Sequence, residues 1–337
     1  MQVKTSAPVI SDVQNTTSFG IEASSSLLHS LSSGVYKDKI LAPVREYISN
    51  ALDIHVECGV VKPIEIKMPI FNDPTFEVRD FGSGLNEDQI NNIFIQYGAS
   101  TKRQSENLIG GFGIGCKSAF AYSNNYTVTS IVDGEKSIYS FFRNDKNDPT
   151  MAKIATMESS EPNGITVTIP VASKDCGFFV EAARKVLAFT KPSLFNINKS
   201  DIEYRPDSAI YQTNDMYLFT RQSSWNTPNI KATIGGILYS LDPYDVLDRS
   251  LVNEWQAATK KYQPIFVLHA SAVPVALSRE EVQVEAVTRE VFTNLIQDYS
   301  RIQMEAENQK KQKAVDAWVL KHRTKTYIRI KARNLDC

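Results

Sequence analysis

No stretch of these 337 residues approaches the run of about 20 apolar residues that a membrane-spanning helix needs. Any membrane contact would therefore be peripheral. Cysteine is scarce. Cys58, Cys116, Cys176 and Cys337 are scattered without metal-ligand spacing, which excludes a disulfide framework and a thiolate zinc site. No secretory signal opens the chain, so free thiols in a reducing cytoplasm are the expectation. Neither sign of charge dominates: Lys plus Arg is 37 and Asp plus Glu is 38. That balance argues against a general nucleic-acid binder, although it leaves room for a local basic patch. Internal repeats and low-complexity tracts are absent too.

What remains is the composition of a soluble globular protein, 42% hydrophobic and 22% charged, long enough for two domains. Residues 1–35, rich in Ser, Thr and Asn, read as an N-terminal arm with one short helix near Ser26 to Leu31. Residues 36–190 read as the first domain. It opens with a helix over Tyr36 to Cys58, stopped by Gly59. Period-two runs predict strands at Ile64 to Met68, Phe76 to Asp80, Tyr126 to Val132, Glu135 to Phe142, Met151 to Met157 and Gly164 to Pro170. Asp133-Gly134 marks a hairpin. Asn86 caps a helix over Glu87 to Phe94. A polar loop follows from Gln96 to Leu108, and a small-residue helix ends at Tyr122. A closing helix spans Phe178 to Phe189. Lys191-Pro192 is the expected boundary with a second domain over 191–337. There the pattern predicts strands at Ile230 to Tyr239 and Pro264 to His269, a long helix from Arg279 to about Lys321, and a last strand at Thr326 to Ala332. The fold class is α+β: a mixed, largely antiparallel sheet covered by helices on one face, then a smaller α/β domain.

Three features carry chemistry. In Arg45-Glu46-Tyr47-Ile48-Ser49-Asn50-Ala51-Leu52-Asp53, the residues Glu46, Asn50 and Asp53 lie at i, i+4 and i+7 on one helix face. Two carboxylates and an amide there can hold a hard divalent cation and orient a water; a plain polar stripe is the competing reading. Asp80, followed by Gly82 and Gly84, sets a carboxylate at a strand end, where it can accept from an exocyclic amine. The glycines let a flat ligand approach the backbone. An ordinary turn would look the same. Gly110-Gly111-Phe112-Gly113-Ile114-Gly115 leads into a helix and offers backbone N–H groups to phosphate, or else is a loop without a ligand. Lys102 and Lys117 flank it and can neutralise phosphate charge, unless they are merely solvated.

Taken together, in this order within about 75 residues, these motifs resemble the GHKL ATPase superfamily of gyrase B subunits, MutL proteins, heat-shock chaperones and histidine kinases. Glu46-x-x-x-Asn50-x-x-Asp53 resembles its N box, and Asp80-x-Gly82-x-Gly84 and Gly111-x-Gly113-x-Gly115 its two glycine boxes. The resemblance covers about residues 35–190. It implies a Bergerat-type two-layer sandwich followed by a transducer-like domain, with ATP and Mg2+ as ligands. Asn50 would be the residue bound to the metal. Asp80, with Gly82 and Gly84, would receive the adenine amine. A lid of Gly110, Gly111, Phe112, Gly113, Ile114 and Gly115, with Lys102 and Lys117, would contact phosphate. Glu46 would be the base that deprotonates water, assisted by Lys102. The family's late-strand Gly-Thr is Gly164-Ile165 here, so Thr166 or Thr168 stands in for the threonine. His29, His55, His269 and His322 lie in no phosphoacceptor context, which separates the chain from the histidine kinases.

A narrower resemblance is to phage rIIA-type lysis-inhibition proteins. It rests on Tyr36-Lys37-Asp38-Lys39-Ile40, Tyr97-Gly98-Ala99-Ser100-Thr101-Lys102, Gly115-Cys116-Lys117-Ser118-Ala119-Phe120, Glu161-Pro162-Asn163-Gly164 and Leu277-Ser278-Arg279-Glu280-Glu281. Members are often longer, so residues 1–337 would be a short relative or a fragment. The resemblances imply a slow Mg-dependent ATPase, an ATP-dependent homodimer strapped by the N-terminal arm, and a phage or host protein partner. In related two-domain members the second domain returns a basic residue to the terminal phosphate. Arg279 and Lys231 are the candidates by position; a helix-surface charge is the alternative for Arg279. The competing function classes are a non-hydrolysing phage effector and a MutL- or gyrase-like DNA-transaction ATPase.

Overall fold

The computed structural model describes residue 30 and residues 34–95, 115–198, 202–221, 228–276 and 278–308. The short arm helix, the polar loop with Lys102, the glycines from Gly110 to Gly113 with Phe112 and Ile114, and the expected strand at Thr326 to Ala332 fall outside the described residues.

The first domain is a seven-stranded sheet in the order β5-β4-β3-β6-β2-β1-β7. Its strands are β1 (Ile64–Lys67), β2 (Thr75–Arg79), β3 (Asn125–Val132), β4 (Glu135–Arg143), β5 (Pro149–Glu158), β6 (Gly164–Pro170) and β7 (Phe195–Ile197). All pairings are antiparallel except β1 with β7. β7 lies beyond Lys191-Pro192, so the sheet continues past that point into the linker. Alternation sets the layers. Phe76 and Val78 of β2 and Val167 and Ile169 of β6 are buried on the helix side. Helices α1 (Leu41–Cys58) and α3 (Cys176–Leu187) cover that face through Val44, Tyr47, Ile48, Phe179, Ala183 and Leu187.

α1 starts at Leu41 rather than Tyr36, because the Asp38 carboxylate accepts from the N–H groups of Ile40 and Leu41 and caps it there. Gly59, at φ 64°, ends it as expected. Asn86 and Gln89 form a reciprocal capping box at the head of α2 (Glu87–Gln89), which runs on as a π-helical turn from Ile90 to Phe94.

The second domain is a five-stranded sheet in the order β11-β10-β12-β9-β8. Its strands are β8 (Tyr211–Gln212), β9 (Met216–Thr220), β10 (Ile230–Ile234), β11 (Ile237–Leu241) and β12 (Tyr262–Leu268). The expected single strand from Ile230 to Tyr239 is a hairpin: Gly235 and Gly236 both take positive φ and turn the chain. Helices α4 (Pro243–Val246), α5 (Arg249–Ala258) and α6 (Ala286–Asn308) pack around Trp255, Phe266, Phe292 and Ile296.

The long helix does not begin at Arg279. Val275 bridges Val282, and the Ala276 N–H donates to the Glu281 carbonyl at 2.9 Å, so this segment is a hairpin-like loop with Arg279 near its tip. Helix α6 starts at Ala286.

Candidate functional site

α1 is buried almost all round, and its polar residues are buried with it. Glu46 is 1% exposed, Asp53 is buried and Asn50 is half-buried. An ordinary solvent-facing stripe is therefore ruled out for Glu46 and Asp53. Neither oxygen of the Glu46 carboxylate accepts a hydrogen bond among the described residues. Gly115, the last glycine of the rich segment, lies directly against it: a Cβ on Gly115 would stand 2.2 Å from Glu46 Oε2. A side chain there would displace the carboxylate from its present position.

The turn that begins at Gly115 is tied to the same helix. Tyr47 Oη donates to the Cys116 carbonyl at 2.8 Å and accepts from the Ala119 N–H at 3.3 Å. The expected small-residue helix is a 3-10 helix over Gly115–Ala121. Its Lys117 is 3% exposed, so it is not a solvated surface lysine.

The Asp80 turn closes on the C-terminal half of α1. Asp80 Oδ1 accepts from the Gly82 N–H at 2.9 Å and from the Ile165 N–H at 3.2 Å. Gly82 leaves no room for a side chain: a Cβ would meet Cγ1 of Ile54, one turn after Asn50, at 2.5 Å. Gly84 adopts φ 69°, and a Cβ there would stand 2.3 Å from the Ile131 carbonyl oxygen. Gly164, at φ 143°, brings β6 so close that a Cβ would stand 2.1 Å from the Asp80 carbonyl oxygen. The sheet register thus sets Asp80, Gly82 and Gly164 side by side, beside the stretch of α1 that follows Asn50.

His55 completes the turn. Its Nε2 accepts from the Phe81 N–H at 2.8 Å, which requires the unprotonated nitrogen there. Burial lowers its pKa below the ordinary 6.5, opposed by a hydrogen bond to the backbone of Lys62. Phe81 packs between His55 and the Lys62 ammonium, the latter 3.4 Å from its ring centre.

Thr166 and Thr168 do not join this group. Residues alternate across β6, and Val167 and Ile169 take the helix side. Thr166 accepts from Arg79 at 3.3 Å, and Thr168 donates to Glu77 at 3.1 Å, on the opposite face. Neither hydroxyl stands in for the late-strand threonine. The residue beside Asp80 is Ile165, through its backbone.

The residue facing Glu46 comes from the second domain. Arg279 Nη1 is 3.3 Å from Glu46 Oε2, and Arg279 is 4% exposed, so the surface-charge alternative fails. Lys231 sits mid-strand in β10 opposite Ser240. Arg45, 3% exposed, donates to the Ser278 carbonyl at 2.6 Å. Glu280 accepts from the N–H groups of Lys37 and Asp38, and Glu281 pairs with the Lys37 ammonium. Tyr36 lies in the same cluster. Burial, with the Glu46 carboxylate beside it, pushes its phenol well above the usual range. The sequence gives no site role to Arg45 or Tyr47, and His55 stands out there only as a histidine outside any phosphoacceptor context. Only the unusual density of polar residues in a helix that must pack could have drawn attention to them.

Residues 41–176 match the family described as histidine kinase-, DNA gyrase B-, and HSP90-like ATPase. That match makes this stretch similar to the ATPase domain of the GHKL superfamily. An uncharacterized protein of Mycoplasma pneumoniae is 36% identical over 83 residues, 25% of this chain and 32% of its own length. Chaperone protein HtpG of Treponema denticola is 29% identical over 151 residues, 38% of this chain and 23% of its own. The chain therefore spans a third or less of the length of these relatives. The seven-stranded sheet with α1 and α3 on one face is consistent with a Bergerat-type sandwich. Among the described residues no helix is long and apolar enough to cross a membrane.

Proposed function

We propose that this protein binds ATP with magnesium between α1 and the Asp80 turn and hydrolyses it slowly, coupled to lid closure and dimerisation. One observation carries the reading: Glu46 is a buried carboxylate that accepts no hydrogen bond among the described residues and has only the Arg279 ion pair, one turn before Asn50 and against the first residue of the Gly115 turn. A buried carboxylate with its hydrogen bonds unmade costs stability and persists where it has work to do.

The residues fit such a ligand. Asn50 supplies an amide oxygen for the metal. Magnesium bound by a nucleotide needs only one or two protein ligands beside phosphates and water. Magnesium bound there would neutralise phosphate charge. Asp80, oriented by two backbone donors, accepts from the adenine amine. Glu46 takes the proton of the attacking water. Phosphoryl transfer asks the protein for little more than positioning and charge neutralisation. The pair Glu46→Ala and Asn50→Ala tests this. Glu46→Ala should keep ATP binding and lose roughly 10²–10⁴ in phosphate release. Asn50→Ala should lose binding. Wild-type turnover in Glu46→Ala overturns the assignment of the base.

The finer resemblance, to phage rIIA-type proteins, rests on the motifs quoted above. It would set the cycle in the cytoplasm of an infected bacterium, with a phage or host protein as partner. A second reading, a nucleotide-binding effector without turnover, is favoured by the sealed state of Glu46. ATP binding without phosphate release would decide for it.

A further inference from the structure

We infer that the hairpin bearing Arg279 is an autoinhibitory latch, which sequesters the Glu46 carboxylate until the second domain lets go of the head of α1. The inference rests on the reading of Glu46 as the base.

A base that deprotonates water must meet water. Here Glu46 is 1% exposed, closed off by Gly115 on one side and the Arg279 guanidinium on the other. The guanidinium also occupies the side of the carboxylate that the glycine leaves open. In this arrangement Glu46 is hidden and held in an ion pair.

The contact is built to release. Arg279 holds φ 52°, a left-handed conformation that is strained for a residue with a side chain. Its Nη1 has an ion-pair contact with Glu46 but no hydrogen bond. The hairpin docks through few polar contacts: Arg45 to the Ser278 carbonyl, Glu280 to the backbone of Lys37 and Asp38, and Glu281 to Lys37. Beside it lies a cleft of about 770 Å³, lined by Arg45, Arg184, Arg279 and Glu280 together with apolar residues such as Leu41 and Ile237, so the two domains are not in continuous contact there. Two buried contacts, Arg45 to Ser278 and Arg279 to Glu46, and a few exposed ones at Glu280 and Glu281 can be undone without unfolding either domain. A trianionic phosphate group competes well with one carboxylate for a guanidinium, so a bound nucleotide is a natural release signal.

The test weakens docking without touching Arg279 or Glu46. In Glu280→Ala/Glu281→Ala, α1 keeps its own Asp38 cap, so the helix head stays intact. Two readouts are taken on the full chain: MgATP turnover, and carbodiimide-driven amine coupling to Glu46 mapped by peptide mass. The latch predicts that Glu46 is protected in the parent and labelled in the variant. It also predicts turnover raised roughly tenfold together with tighter ATP binding, since nucleotide no longer has to displace the latch, and the turnover gain vanishes when Glu46→Gln is added. Protection unchanged by the variant, or labelling with unchanged or lower turnover, overturns the latch and leaves the nucleotide site standing. Failure of the parent chain to bind MgATP overturns the nucleotide reading itself.

Discussion

Removing one member of the Arg279–Glu46 pair should cost far more than removing both. At 3.3 Å, and with an effective dielectric near 20, the two charges attract by about 5 kcal/mol. Most of that offsets the cost of taking two ions out of water, so the pair's net contribution is small. A single deletion is different, because the surviving charge stays buried. Arg279→Met retains most of the apolar stem and strands the Glu46 carboxylate. Glu46→Gln strands the guanidinium. Each should destabilise by about 3–5 kcal/mol, unless the hairpin undocks and caps the loss at the docking energy. In a thermal scan that is a fall of roughly 6–20 °C in the transition of the first domain. The double variant should recover most of the loss, giving a coupling of about 2 kcal/mol or more in a double-mutant cycle followed by chemical denaturation. Additive single effects, with coupling within about 0.5 kcal/mol, would mean the two side chains do not feel each other, and the account of the domain contact would fall.

Two further predictions concern the Asp80 turn. His55 has a folded pKa below its ordinary 6.5, so its native contact contributes fully above pH 6.5 and is lost as pH falls through the folded value. Stability and ATP affinity should both decline below pH 6.5, and His55→Leu should flatten that dependence; a slope unchanged in the variant would refute the assignment. Gly84→Ala must place a Cβ 2.3 Å from the Ile131 carbonyl at φ 69°, and should cost about 2 kcal/mol or more in a denaturant titration. Gly177→Ala, with open space around it near the start of α3, should instead be neutral or stabilising.

The sequence carried the first domain well, because its strands obey strict alternation and each is bounded by a turn residue whose conformation leaves little choice. Gly59, Asp133-Gly134 and the Asn86 cap all act as their chemistry dictates. The site was partly legible for the same reason: an i, i+4, i+7 spacing fixes a helix face wherever the helix lies. What could not be read was long-range. Thr166 and Thr168 were plausible until the register of β6 against β2 sent both hydroxyls to the far face. Arg279 looked like the first residue of a charged helix, since a hairpin held by Val275, Ala276, Glu281 and Val282 leaves no periodic trace. The burial of Arg45 and Glu46 depends on a partner more than two hundred residues away, and no local pattern encodes that.

The claim on which all else depends is that one adenine nucleotide lies on the helix side of the sheet, against α1 and Asp80. Calorimetric titration of MgATP into Asp80→Ala and Thr166→Val tests it most directly. The account predicts binding abolished in Asp80→Ala and unchanged in Thr166→Val. Binding kept in Asp80→Ala, or lost in Thr166→Val, would put the nucleotide elsewhere.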